Sequence, residues 1–442
     1  MTTRPTGHYF AARRRSFGVA ARRRGGLLII AVLAIAGCSA CSGSSGANTS
    51  APSNADIAGL LTRHGKAVLE HDHAAFVADL DGDRRATTFR AAQDAAFANL
   101  VQVPLSKWSY TIGRPVDDKS AQAAAQREYG GSALIMQVSL TYALRGVDRI
   151  PTRHDLWWTF VRRNGHVVVA ADSDLADAGG VSWKGPWDFG PLELVRGRSS
   201  LVLGHPDSSG LLHAVADTID AAVPVVTSVW GSGWSGDVAA IVPSTPAELT
   251  AALGPTSSGP APVAALAQSD GQDPVSGKVY GQRLVVVAAQ VKRLSVVGRR
   301  IVIQHEVTHI AAAEATTDAV PRWLVEGFAD YVGNLHSGQT VRTAAAELRA
   351  DVQRNRVPTG LPGDAQFDTT STAAQAYESS WLACRLIAQR VGQAGLVRFY
   401  RLVGASPDAS DLAVAAALRS VLHETPAQFL RQWRSFLRAQ LG

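Results

Sequence analysis

Apolar residues in the first half of the chain follow two different periods. From residue 56 to about 105 they recur every three or four positions, which predicts helices. Leu134 to Leu144 then alternates apolar and polar residues, and Asp155 to Ala171 turns at Asn164-Gly165, a strong hairpin signal. Helices followed by long antiparallel strands predict a small α+β domain over residues 56–178.

The order of these elements resembles the NTF2-like cone fold. Residues 179–192 follow and are rich in Gly, Pro and Trp, a composition that suits a junction between domains. At 442 residues the chain is long enough for two domains, since single hydrophobic cores stop growing at roughly 250 to 300 residues. We therefore predict a second domain over residues 193–442.

Short strands and longer helices are predicted for the second domain. The predicted strands are Ser200 to Leu203, Val238 to Val242 and Arg283 to Gln290, and the first long helix is Leu211 to Val223. The last third is mainly helical, and its final helix begins at Thr425-Pro426, a cap residue followed by a proline. The predicted fold class is α+β, with a mainly helical C-terminal lobe.

Positive charge is concentrated at the start of the chain. The formal net charge is +6, but residues 1–37 hold seven arginines and no acidic residue. The remaining chain has no surplus positive charge with which to neutralise phosphates, which argues against a nucleic-acid partner.

The first 37 residues have the layout of a bacterial export signal: an arginine-rich start, then an apolar run from Leu27 to Ala36. Ten apolar residues are too few to span a bilayer, which needs about 20. The sequence Ile35-Ala36-Gly37-Cys38 resembles the lipobox of bacterial lipoproteins, which implies cleavage before Cys38 and lipid on that cysteine.

Two export routes stay open. Arg14-Arg15-Ser16-Phe17 resembles part of a twin-arginine signal, but plain basic character explains the arginines equally well. Residues 38–55 are mostly small and polar and predict a flexible tether. We therefore expect a protein anchored by lipid on the extracytoplasmic face of the cell membrane.

The chemistry-bearing pattern is His305-Glu306-Val307-Thr308-His309. On a helix, residues four apart lie on one face, so both imidazoles can bind one ion. Glu306 is then placed to accept a proton from water rather than to ligate. The flanking residues are apolar, and burying three polar side chains among them calls for a functional reason.

A second apolar segment, WLVEGFADY, places Glu326 seventeen residues after His309. Pro321 would open this helix, and Glu326 can reach back to complete a His₂Glu site. Such a site keeps a fourth position open, as catalytic zinc requires. A structural zinc site is disfavoured because no nearby Cys or His would close that position.

The two segments resemble the gluzincin metallopeptidases, in particular the peptidase MA-like group, in which HExxH precedes a W-L-x-E-G-x-A-x-Y helix. The resemblance is specific over residues 301–331. It implies zinc held by His305, His309 and Glu326, with Glu306 as general base.

Further roles follow from the same resemblance. Asp330 would hold an imidazole ligand by its other nitrogen. Tyr377 matches a tyrosine that would donate to the reaction's oxyanion, with ordinary packing an equal alternative. Gluzincins bind extended peptide along a strand edge; Val285 to Gln290 is a candidate for that edge, or else a central strand.

The sequence thus predicts a membrane-anchored, extracytoplasmic zinc metallopeptidase acting on peptides or proteins. The alternative is a non-catalytic lipoprotein whose first domain binds a ligand and whose second keeps only a peptidase shape. The intact ligand set with Glu306 favours catalysis, because a degenerate relative would be expected to lack at least one of these residues.

Overall fold

The computed structural model describes residues 50–254 and 263–442. The predicted export signal, Cys38 and the tether up to residue 49 lie outside the described residues. The described chain forms two folded parts, each built on its own β-sheet.

The first part combines helices with one antiparallel sheet in the order β1-β2-β3-β4. Its helices are α1 (Asn54–Glu70), α2 (His73–Ala78), α3 (Thr87–Leu100) and α4 (Lys119–Tyr129), and its strands are β1 (Leu105–Pro115), β2 (Leu134–Leu144), β3 (Thr152–Arg163) and β4 (His166–Ala171). Asn164 and Gly165 form the β3-β4 turn with φ of 51° and 85°, values that these two residue types tolerate. Strand β1 and helix α4 were not predicted.

Helix α1 shows how this part is held together. The Ser53 side chain accepts a hydrogen bond from the Asp56 backbone N–H, and the Asp56 side chain accepts one from the Ser53 backbone N–H. This reciprocal pair is a capping box. Ile57, Leu60 and Leu61 are buried along one stripe and belong to the core beneath the sheet. The predicted helical period and the observed buried face therefore agree.

The second part contains a five-stranded mixed sheet, a small hairpin and eleven helices among the described residues. The strands are β5 (Glu193–Arg196), β6 (Ser200–Gly204), β7 (Val238–Ile241), β8 (Ala265–Gln268), β9 (Gly271–Gln272), β10 (Val279–Tyr280) and β11 (Arg283–Val286). The helices are α5 (Ser209–Trp230), α6 (Pro246–Leu253), α7 (Ala288–Val291), α8 (Val296–Ala312), α9 (Arg322–Gly333), α10 (Val341–Ala344), α11 (Ala346–Gln353), α12 (Asp364–Asp368), α13 (Ala373–Gly404), α14 (Ser410–Leu422) and α15 (Pro426–Leu441).

The predicted strand from Arg283 to Gln290 is partly wrong. It ends at Val286, and α7 begins at Ala288. The sheet order is β5-β6-β7-β11-β8, so β11 is a central strand. Of the two alternatives for Val285 to Gln290, the edge strand is therefore wrong and the central strand is confirmed as far as Val286. An apolar run buried on both faces is typical of a central strand. The edge strand next to β11 is β8.

The two faces of this second sheet have different neighbours. Val202, Ala240 and Leu284 pack into the core formed with the helices of the second part. Leu201, Leu203 and Ala239 instead belong to the core of the first part. The two parts therefore share a hydrophobic core, and the N-terminal domain covers one face of the second sheet.

Among the described residues, the helical stretch Pro206–Trp230 is long and apolar enough to cross a membrane by length and composition. Core helices of soluble proteins pass the same test, and here Val215, Ile219 and Val226 are fully buried in the core of the second part. The stretch packs against α8, the helix that carries the histidine pair.

Candidate metal centre

Helix α8 presents the predicted histidines and Glu306 from the interior of the second part. Ser295 caps its start by accepting from the Gly298 backbone. From Ile301 to Thr308 every residue is buried. A helix this deeply enclosed is held by packing on all sides, which fixes the direction of its polar side chains.

Helix α9 approaches both α8 and α13 closely because glycines stand at the contacts. A Cβ on Gly327 would lie 2.4 Å from the carbonyl oxygen of Ser380 on α13. A Cβ on Gly333 would lie 3.0 Å from the carbonyl oxygen of Ile301 on α8. The glycine after Glu326 in the motif therefore has a steric reason, since no larger residue fits this packing.

The structure brings His305, His309 and Glu326 together. The two Nε2 atoms lie 3.0 Å apart, and each lies 3.4 Å from Oε2 of Glu326. That oxygen is buried and has no hydrogen-bond partner among the described residues. Three ligand atoms around a tetrahedral Zn²⁺ with bonds near 2.0 Å are expected roughly 3.3 Å apart. The donor set and its spacing thus fit a zinc ion.

Asp330 lies where the resemblance places it, beside the other nitrogen of His305. Its Oδ1 is 2.8 Å from His305 Nδ1, one helical turn beyond Glu326. A proton on Nδ1 leaves the Nε2 lone pair facing the other ligand atoms. Burial opposes a charge on His305, but the carboxylate of Asp330 outweighs it and raises the pKa of the imidazole.

The carboxylates at the centre have opposite pKa shifts. Burial works to raise the pKa of Glu326, but the neighbouring imidazoles of His305 and His309 outweigh it and lower the pKa to about 2. Burial raises the pKa of Glu306. Glu326 is therefore suited to remain an anionic ligand, while Glu306 is a stronger proton acceptor than an ordinary carboxylate.

Glu306 also contacts the edge of the sheet. The backbone N–H of Ala267 on β8 donates to Glu306 Oε2 at 2.8 Å. Sequence patterns did not point to Ala267, because a backbone donor leaves no trace in residue type. The edge strand and the base of the predicted reaction are thus in direct contact.

Tyr377 lies on α13 and is connected to Glu326 through Phe367 and Arg322. Its ring is 5.1 Å from that of Phe367, which the Arg322 guanidinium covers at 4.8 Å. Arg322 Nε lies 3.9 Å from Glu326 Oε1. The oxyanion role of Tyr377 stays a prediction. Arg322 was missed, although its place four residues before Glu326 was a signal.

Access to the centre is uneven. The side chains of His305 and Glu326 are 0% and 1% exposed, whereas that of His309 is 14% exposed. Of these three side chains, that of His309 is therefore the most accessible to solvent.

Two solved structures are similar to this chain. One is a mutant of a two-domain M1 zinc metallopeptidase bound to L-arginine; it is 15% identical, with a TM-score of 0.32, over 70% of this chain and 62% of that one. The other, from Deinococcus radiodurans, is a mutant M1 zinc metallopeptidase bound to a Tyr-Ser-Ala substrate; it is 13% identical, with a TM-score of 0.30, over 68% and 89%.

No family model matches the sequence, and no curated protein sequence matches it. The structural similarity is too low to bear on activity. The chemistry of the site is therefore inferred from its own geometry.

Proposed function

We propose that this protein is a zinc-dependent metallopeptidase in which Glu306 is the general base. The observation that carries the proposal is the buried group of His305, His309 and Glu326, whose ligand atoms lie 3.0 to 3.4 Å apart. Glu326 Oε2 is buried beside the two imidazoles without a hydrogen bond, which is costly, and a cation bound between these atoms would offset the cost.

The residues around the centre have separate roles in amide hydrolysis. When bound, zinc would polarise the scissile carbonyl and lower the pKa of water at its open position. Glu306 accepts the proton of the attacking water and returns it to the leaving amine. Asp330 keeps His305 in the tautomer whose Nε2 is a ligand.

The peptide is proposed to lie along β8. This strand is at the edge of the sheet, where backbone groups can pair with an extended chain. Ala267 of β8 already contacts Glu306, so a peptide paired with β8 would pass beside the base.

Lipid attachment at Cys38 on the extracytoplasmic face is part of the proposal and rests on the sequence alone. The test is labelling of the cells with a radioactive fatty acid. The wild-type protein is expected to carry label and to sediment with membranes, and Cys38→Ser to lose both. Equal sedimentation without label would contradict lipid anchoring.

The central test is zinc content by elemental analysis, with cleavage of a peptide library by the same samples. Wild type is expected to hold about one zinc per chain and to cleave peptides in a chelator-sensitive way. Glu326→Ala should lose both. Glu248→Ala is the matched control, because Glu248 is also a buried glutamate bonded to a histidine, 2.9 Å from His205, but lies away from the centre.

Each outcome has a distinct meaning. A wild-type protein that binds no zinc when zinc is offered would contradict the enzyme proposal. A protein that binds zinc but cleaves no peptide in the library would point instead to a non-catalytic binding lipoprotein.

A further inference from the structure

The end of β8 is held from the other domain. Asp270 follows this strand by two residues, and the hydroxyl of Thr152 on β3 donates to its Oδ2. His154, also on β3, has its Nε2 3.4 Å from the same oxygen. The His154 ring stacks on Trp183 at 3.8 Å with 10° between the planes, so its orientation is fixed by packing.

A second link joins the strand beside β8 to the same domain. Arg283 of β11, the register partner of Gln268 on β8, forms a two-pronged ion pair with Asp148. The nitrogen–oxygen distances are 2.7 and 2.8 Å, and the two side chains are 5% and 4% exposed. Such a buried, bidentate ion pair neutralises both charges and also fixes the relative position of the two side chains.

These two links matter because β8 is a short strand at the edge of the sheet. It has four residues and pairs along one side only, with β11. Short edge strands open more readily than central ones. Yet the Ala267 N–H of this strand must stay within hydrogen-bonding distance of Glu306, on the opposite side from β11.

We propose that Asp270 and Arg283 are positioning residues through which the N-terminal domain holds β8 against Glu306. The N-terminal domain then supports the substrate-binding edge and is more than a spacer. For its catalytic consequence the inference rests on the proposed peptidase function. Its structural consequence, an ordered β8, does not.

Two threonines on β3 provide a matched experiment in the full-length protein. Thr152 and Thr159 are 0% and 1% exposed, and each donates to an aspartate, Asp270 across the domain boundary and Asp174 within the domain. Thr152→Val and Thr159→Val remove one hydroxyl each with little change of shape. His154→Phe is a second interface variant that keeps the stack on Trp183.

The first measurement is amide hydrogen exchange of peptides spanning residues 264–270. Thr152→Val removes a hydrogen bond to the charged Asp270 and should make this segment open more readily. Its amide exchange should therefore become roughly tenfold faster. His154→Phe should act in the same direction, and Thr159→Val should leave the segment as in wild type. Equal exchange in the two valine variants, with no effect of His154→Phe, would overturn the inference.

The second measurement is cleavage of an extended peptide, with zinc content determined on each sample. Thr152→Val should lower kcat/KM severalfold, mainly through KM, with zinc content unchanged, because the loosened strand binds the peptide backbone less well. Thr159→Val should match wild type. A wild-type enzyme that cleaves nothing would contradict the proposed function, while the exchange comparison would still decide whether the domain orders β8.

Discussion

Two clusters of buried charge lie on opposite faces of the five-stranded sheet. On the N-terminal side, Arg283 and Asp148 satisfy one another, with a guanidinium nitrogen for each carboxylate oxygen. On the α8 side, His305, His309 and Glu326 converge on one point, and Glu326 Oε2 has no donor among the described residues.

The difference separates a structural cluster from a functional one. Burying charge costs free energy unless each group finds a partner. The Arg283–Asp148 pair is complete within the protein, so its role is to fix the domains. The group around Glu326 would be completed by an added cation, which agrees with its proposed role as a metal site.

The largest expected effect is that of Glu306→Gln. The amide keeps the size of the side chain but accepts no proton, so kcat should fall by roughly 10² to 10⁴. Zinc content should stay at the wild-type value because the three ligands remain. Steady-state kinetics beside elemental analysis would show this; near-normal turnover with zinc bound would exclude Glu306 as the base.

The next effect concerns the complete cluster. Asp148→Leu leaves Arg283 buried without a partner and should lower the free energy of unfolding by about 3 to 5 kcal/mol. Adding Arg283→Met should recover most of that loss, since two apolar side chains then replace the pair. Urea denaturation followed by circular dichroism measures both variants. If the double variant is no more stable than the single one, Arg283 and Asp148 do not compensate each other's charge as described.

The smallest effect concerns the tautomer of His305. Asp330→Asn weakens the hold on Nδ1 and should reduce zinc affinity roughly 10- to 100-fold. Competition against a chromophoric chelator measures the affinity. Asp174→Asn is the control, because Asp174 also accepts from a buried side chain but lies in the N-terminal domain. An unchanged affinity for Asp330→Asn would make the contact incidental.

The grouping of His305, His309 and Glu326 was the part best predicted from sequence. Two histidines four apart can bind one ion on any helix, so the pattern at His305 and His309 needs no knowledge of the fold. Strand β2 was equally clear, because alternation over Leu134 to Leu144 is a local property of the chain.

The parts that were missed depend on distant contacts. Strand β8 is Ala-Leu-Ala-Gln, in which alanine has low strand propensity and four residues are too few to show a period. Its importance comes from its place beside β11. The Arg283–Asp148 pair joins residues 135 positions apart, and no local pattern encodes such a pairing.

We expect the shared core also to impose an order on the folding of the chain. The N-terminal domain is synthesised first, and Leu201, Leu203 and Ala239 later close against it. Residues 193–442 made alone would leave that sheet face in water, where it would favour association with other chains. We expect the second domain to fold against the already folded first domain. Dividing the chain at the junction should therefore produce aggregation rather than two independent proteins.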